Sequence, residues 1–239
     1  MNKIKDNLLV LDIETSSSTD TEKSILKWFG TYSYSDNKYS FIKYDKLQKI
    51  KEIIETHDVI CGYNIKVFDI PILEKYGISF KDKILVDMWE ILAPKSRGGK
   101  GRHLVMNINF RDMSLQTVLK TLQIGGKKQE NFNYKILDKT DWNKAEETYI
   151  LNYLRKDIQI EKDLFEFLYN KFQPFKDLLN ENDQLNYKWL TTTVGTFAYK
   201  VLCKEAGLEE EYNDFQEDVG IQYEGAYVLL PTKERVIAT

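Results

Sequence analysis

This chain of 239 residues has only two cysteines, Cys61 inside an apolar run and Cys203 on a helical stretch. That is too few for a disulfide scaffold or a cysteine-built zinc site, and it fits a reducing, cytosolic setting. No stretch approaches the ~20 apolar residues of a membrane span, and the N-terminus carries no apolar h-region, so neither insertion nor secretion is indicated. An excess of positive charge is also missing. With a formal net charge of -3, no global field advertises a nucleic-acid partner, although an acidic catalytic centre is compatible with a local basic rim. There is no internal repeat and no low-complexity tract. What remains is a globular chain, 42% hydrophobic and 13% aromatic, able to bury a core as one large domain or one domain with an appendage.

The organising stretch is LLVLDIET, from Leu8 to Thr15. Its first four residues form an apolar run of the kind that makes a strand buried on both faces, and Asp12 and Glu14 arrive where that run ends. Side chains alternate along a strand, so the two acids share a face with Cα atoms about 6.6 Å apart, close enough to reach one divalent ion or a close pair. A lone Asp-x-Glu is more often a solvated strand end; the case rests on partners elsewhere in the chain.

Aromatic-rich segments at 25–34 and 38–44, separated by Ser35, Asp36 and Asn37, predict an antiparallel hairpin beside the first strand. Leu47, Ile50, Ile53 and Ile54 repeat at helical spacing, with Asp45 placed as N-cap. Residues 59–63 predict a short strand, 64–69 a passage into a helix closed by Gly77, and 84–86 another strand ending at Asp87. Residues 95–103, KSRGGKGRH, combine three glycines with five basic residues and predict a loop, either solvated surface or a phosphate contact. A short helix capped by Ser114 and ended by Gly125 and Gly126 follows. A long helix is expected over 142–172, broken by Pro174. Further helix over 180–206 is expected to be interrupted at Thr191, Thr192 and Thr193. A meander followed by alternating helices and strands implies an α/β fold with a mixed sheet flanked by helices and a C-terminal helical extension.

Along the long helix, Tyr149, Tyr153, Asp157, Ile160 and Leu164 form a stripe in which Asp157 stands where an apolar residue belongs. A buried carboxylate costs several kcal/mol unless compensated, which calls for a metal or cation nearby. Lys156 and Arg155 are geometrically poor partners, because sequence neighbours on a helix do not face each other. Asn64 and Asp69, in Asn-x-x-x-Phe-Asp, read singly as a turn residue and a first-turn acid. Together the three segments supply four carboxylates and one phenol. Four converging acids repel unless divalent cations neutralise them, and an all-oxygen ligand set suits Mg²⁺ or Mn²⁺. Two such ions are the usual apparatus for in-line displacement at phosphorus.

The three segments resemble the exonuclease motifs of the DEDD superfamily, tyrosine subclass, whose ribonuclease H-like fold agrees with the element order. VFDIPIL at 67–73 and YLRKDIQIEKDL at 153–164 resemble the second and third exonuclease motifs of family B DNA polymerases. Tyr223-Glu224-Gly225-Ala226-Tyr227 resembles the stretch joining exonuclease to polymerase in that family, with Ala226 replacing a glycine. A first motif at residue 12 is similar to the phage, protein-primed branch.

By motif position, the resemblance implies Asp12, Glu14, Asp69 and Asp157 as ligands of two ions, Mg²⁺ or Mn²⁺, and Tyr153 as the group that orients the attacking water. It implies Thr15, Asn64, Phe68, Ser114 and Leu115 as contacts to a single-stranded DNA 3′ end or frayed primer terminus. Phe68 could equally be a core residue. The expected organisation is an exonuclease domain over 1–174, with 175–239 a helical connection and the start of a polymerase palm. The setting would be the cytoplasm of a bacterium or a virus-infected host cell, and the partner the rest of a polymerase chain. Motifs for nucleotide polymerisation are absent from the 239 residues, so hydrolysis without primer extension is expected. The alternatives are a free-standing 3′-5′ exonuclease on DNA or RNA and an inactive ribonuclease H-like scaffold that binds single strands.

Overall fold

A computed structural model describes residues 7–16, 21–93, 110, 112–125, 132–185, 187–190 and 194–207. These belong to one compact unit, Met1–Leu208. The basic loop at 95–103, the threonine cluster at 191–193 and the joining stretch at 223–227 lie outside the described residues.

The apolar run at the N-terminus becomes the central strand β1, Leu8–Thr15. The expected hairpin forms as β2, Leu26–Ser33, and β3, Lys38–Lys43. Two short parallel strands, β4, Val59–Gly62, and β5, Ile84–Asp87, complete a five-stranded mixed sheet in the order β3-β2-β1-β4-β5. The switch from antiparallel to parallel falls at β1. Its pairing with β4 covers only Leu8–Val10 against Val59–Cys61, whereas its pairing with β2 continues to Thr15. Asp12 and Glu14 therefore stand beyond the carboxyl end of β4, at an open notch in the sheet.

Helices cover both faces: α1, Leu47–Glu55; α2, Asp69–Lys75; α3, Met88–Leu92; α4, Leu115–Leu122; and the long α5, Lys144–Lys176. The alternation of β1 divides the core in two. Leu9, Leu11 and Ile13 pack with Ile50, Ile54 and Ile72 of α1 and α2, while Leu8 and Val10 pack with Ile150, Leu154 and Ile158 of α5. Each fully buried Leu or Ile contributes about 1.5–3 kcal/mol relative to exposure, so both layers are anchored by one strand.

Four local expectations are corrected. Asp45 does not cap α1; it lies in a 3₁₀ turn, Tyr44–Lys46, and the cap position falls to Lys46 with no side-chain bond. The tight turn out of β3 delays the α-helix past the acid. Ser114 does cap α4, accepting the Thr117 N–H, but the helix ends at Gln123 with φ 57 rather than at a glycine. The Gln123 N–H bonds the Leu119 and Lys120 carbonyls, offsetting the roughly 1–2 kcal/mol that a left-handed non-glycine costs. Thirdly, Pro174 sits inside α5, which ends only at Lys176. Its missing N–H removes one bond close to the end of a helix of 33 residues. Finally, α5 begins at Lys144, where a capping box between Asn143 and Glu146 fixes its start, rather than at Trp142.

The C-terminal extension comprises α6, Glu181–Leu185, a 3₁₀ turn, Lys188–Leu190, and α7, Val194–Ala206. A buried ion pair, Lys200 Nζ to Asp183 Oδ2 at 2.7 Å, ties α7 to α6. No described helix is long and apolar enough to cross a membrane.

Candidate active site

The face of β1 that buries Leu8 and Val10 against α5 changes character halfway along. In register terms Asp12 is opposite Gly30 and Glu14 is opposite Trp28 of β2. The register shifts between Glu14 and Thr15, where β2 carries one extra residue, Lys27, and such irregularities commonly re-aim side chains beside active sites. Gly30 is what lets the helix approach. A Cβ there would lie 2.5 Å from Ile158 Cδ1 and 2.7 Å from Leu154 Cγ, residues on either side of Asp157 in α5. With hydrogen in place of a side chain, α5 settles onto β2 and brings Asp157 down beside the β1 acids.

The result is a cluster of Asp12, Glu14 and Asp157 whose ligand oxygens all lie within 4.8 Å of one another. Glu14 and Asp157 are buried and Asp12 is half-buried. Carboxylate oxygens bound to one Mg²⁺ at about 2.1 Å lie roughly 3–4 Å apart, so this spacing fits a shared ion and leaves room for a second. The hard, all-oxygen donor set matches Mg²⁺ or Mn²⁺ rather than a thiophilic metal. These three residues could hold a divalent cation.

Asp69, the fourth expected ligand, is adjacent but engaged differently. It is the first residue of α2, is buried, and its Oδ1 accepts the Ile13 N–H at 3.1 Å. Burial, then the charge of Asp12, pushes its carboxyl well above the usual range, and the Ile13 N–H pulls the other way. It is thus coupled to the cluster through Asp12 without belonging to the close group of three. Tyr153 lies one helical turn before Asp157 and is buried, with Phe132 stacked on its ring at 3.9 Å. Burial, and next the Asp157 charge, raises its phenol far above the ordinary value, so the hydroxyl stays protonated and able to donate.

The expected strand contacts fall at the end of β1, in the turn between β4 and α2, and at the start of α4. Thr15 ends β1 and donates its hydroxyl to the Ser16 carbonyl. Asn64 turns the chain out of β4 with φ 61, and its N–H, with those of Lys66 and Trp89, is held by the carboxylate of Asp87 at 2.8, 3.1 and 2.9 Å. Phe68 is half-buried and packs against the α1/α2 layer, its core role, while its neighbour Val67 is 66% exposed. Ser114 is exposed and spends its hydroxyl in the α4 cap with Asp112 and Thr117; Leu115 packs on the α5 layer. Tyr63 donates to the Met113 carbonyl, which brings the Asn64 turn and the Ser114 cap side by side although they are 50 residues apart in sequence.

Four contributors escaped the sequence reading. Gly30 is one; a glycine inside an aromatic strand is the recognisable sign of a close approach. Tyr134 is another: its hydroxyl meets that of Tyr153 at 2.7 Å, and its ring is 51% exposed. The third, Glu161, is one turn beyond Asp157 on the same stripe, equally buried at 4%, and lies against Gly62 of β4. The reasoning that singled out Asp157, an acid in an apolar stripe, applies to it unchanged. Asp87, the clamp on the Asn64 turn, is the fourth.

A scan of protein families finds no match to this sequence, and no curated protein matches it. Among solved structures, the fold is similar to that of the family B DNA polymerase from the hyperthermophilic archaeon Pyrobaculum calidifontis. The match has a TM-score of 0.55 and 16% identity, and covers 87% of this chain but 31% of the polymerase. The chain therefore spans about a third of that polymerase. The shared feature is the fold: a mixed five-stranded sheet with flanking helices, consistent with a ribonuclease H-like architecture.

Proposed function

We propose that this chain is a 3′-to-5′ exonuclease that removes nucleoside monophosphates from a DNA 3′ end, as a proofreading module of the family B, phage-like kind. The observation that carries the reading is the convergence of Asp12 and Glu14 from a strand with Asp157 from a helix, 143 residues after Glu14 in sequence, ligand oxygens within 4.8 Å. Bound there, a pair of Mg²⁺ or Mn²⁺ ions would supply Lewis-acid activation of water and neutralise charge building on the leaving oxygen. Asp69 completes the set by its charge beside Asp12. The protonated Tyr153 hydroxyl, with Tyr134 as its neighbour, orients the attacking water by hydrogen bonding. Thr15, Asn64, Phe68, Ser114 and Leu115 hold the terminal nucleotides in this reading, Phe68 by one ring face. The adjacency of the Asn64 turn and the Ser114 cap supports a common channel.

The proposed organisation assigns 1–174 to the nuclease domain and 175–239 to the connection toward a polymerase palm. Four acids kept together, three of them buried and the fourth half-buried, are a cost that a passive strand-binding scaffold has no reason to bear. The test uses 3′-labelled and 5′-labelled single strands, as DNA and as RNA, with Mg²⁺. Immediate release of a labelled mononucleotide from the 3′-labelled DNA, and a stepwise shortening ladder from the 5′-labelled one, is expected. Preferential attack on RNA would point to a free-standing ribonuclease, and binding without degradation to the scaffold.

A further inference from the structure

A second feature lies away from the carboxylates, on the outer edge of the sheet. A cleft of about 670 Å³ runs along β3 and the start of α1, walled by Lys38, Lys43, Lys46 and Lys49 with Tyr39 and Phe41. Only Glu52 and Glu147 among its lining residues are acidic, in a chain whose net charge is -3. Lysines on an exposed strand are an ordinary protection against edge-to-edge pairing, which accounts for Lys38 and Lys43 at the two ends of β3. It does not account for Lys46 and Lys49. These belong to the following turn and helix, three residues apart and on one side, where like charges repel. Both are exposed, and among the described residues neither they nor Lys38 form an ion pair.

The aromatic wall adds a second signature. Tyr39 and Phe41 lie nearly parallel, 6° between ring planes with centroids 6.4 Å apart, and the Arg155 guanidinium stands 5.1 Å from each centroid. The rings stand on the α5 side of this edge strand with the arginine, and Lys38, Lys46 and Lys49 line its α1 side. A strand laid along the edge thus meets aromatic side chains on one flank and cations on the other, the combination that receives bases and phosphates. A peptide strand would use the backbone edge of β3 and would leave the rings, Lys46 and Lys49 without a role.

We propose that the β3 cleft docks single-stranded nucleic acid through its phosphate backbone, separately from the carboxylate centre. The docking does not depend on the hydrolytic reading, because it requires no metal and no cleavage.

The test is fluorescence anisotropy of a labelled strand of about 20 nucleotides, in EDTA so that no hydrolysis intervenes. The variant is Lys46→Gln/Lys49→Gln, whose side chains are exposed, with the melting temperature as a check on folding. Affinity should fall about tenfold at ~0.1 M salt, and the slope of log affinity against log salt should flatten by about 1 to 1.5, as two phosphate contacts are lost. Lys38→Gln, introduced separately, should act in the same direction. Unchanged affinity and slope in a folded double variant would overturn the proposal. So would an equally charged polyglutamate peptide that displaces the strand as well as unlabelled DNA does, since the face would then be a dock for acidic protein.

Discussion

One strand, β1, presents two very different surfaces to the two sides of the sheet. Leu9, Leu11 and Ile13 point into an apolar layer closed by α1 and α2, in which a buried acid, Asp69 at the start of α2, is held by the Ile13 N–H. Leu8 and Val10 begin an equally apolar layer under α5, but the next two positions on that side are Asp12 and Glu14. The first face is a core in the ordinary sense, and its residues are exchangeable for others of the same volume and hydrophobicity. The second is a core interrupted by charge at the point where β4 stops pairing and where Gly30 lets the helix come close. On the proposed reading, most of the strand's contribution to stability lies on one side and its chemistry on the other, with Asp69 the acid that reaches β1 from the α2 side.

The sharpest break of this comparison uses neighbours on opposite faces. Asp12→Ala should abolish hydrolysis, a loss of several kcal/mol of transition-state stabilisation, while the protein remains folded. Leu11→Ala should do the reverse, costing about 2–5 kcal/mol of stability while its folded fraction keeps normal activity. Denaturant unfolding and a nuclease assay on both variants separate the two effects. Tyr153→Phe should retain metal binding and, with the hydroxyl in its proposed water-orienting role, lose roughly 10²-fold in rate; an unchanged rate would make Tyr153 a packing residue. Gly30→Ala joins the two faces' properties in one position. The added methyl meets Leu154 and Ile158 and should cost about 1–3 kcal/mol, and by lifting α5 it should also lower activity beyond what the unfolded fraction explains.

The smallest effect concerns Asp69. Its folded-state ionisation is displaced upward, by burial first and by Asp12 second. A carboxyl raised in this way contributes stability that is fully present below the unfolded pKa of about 4 and is lost as pH rises through the folded value. In chelator, Asp69→Asn should therefore melt higher than the parent protein at neutral pH, with the gap closing as pH falls toward 4. Melting curves across that range measure it, and a gap that widens toward acid would show that the Asp69 charge is stabilising.

The expected architecture was readable because the relevant signals are local. The apolar run ending in Asp-x-Glu, the aromatic hairpin and the stripe along α5 each declare their element within a few residues. Asp157 was readable because it violates its own stripe. The clamp from Asp87 to the Asn64 turn, the contact of Gly30 with α5 and the Tyr134–Tyr153 hydroxyl pair were not, since each depends on which distant segments the fold brings together. The misplaced ends at Asp45, Gln123 and Pro174 share a cause: capping and helix-breaking preferences of about 1 kcal/mol or a few yield to the packing of the element as a whole.

The arrangement of Asp12, Glu14 and Asp157 is tested most directly by Mn²⁺ binding, measured by calorimetry together with thermal melting. Wild-type protein should bind Mn²⁺ and gain about 2.7 kcal/mol of stability at a hundredfold excess over the dissociation constant. The folded triple variant Asp12→Asn/Glu14→Gln/Asp157→Asn should show neither the binding heat nor the shift. If the triple variant binds Mn²⁺ and is stabilised as much as the wild type, the ions sit elsewhere and these carboxylates are not the metal centre.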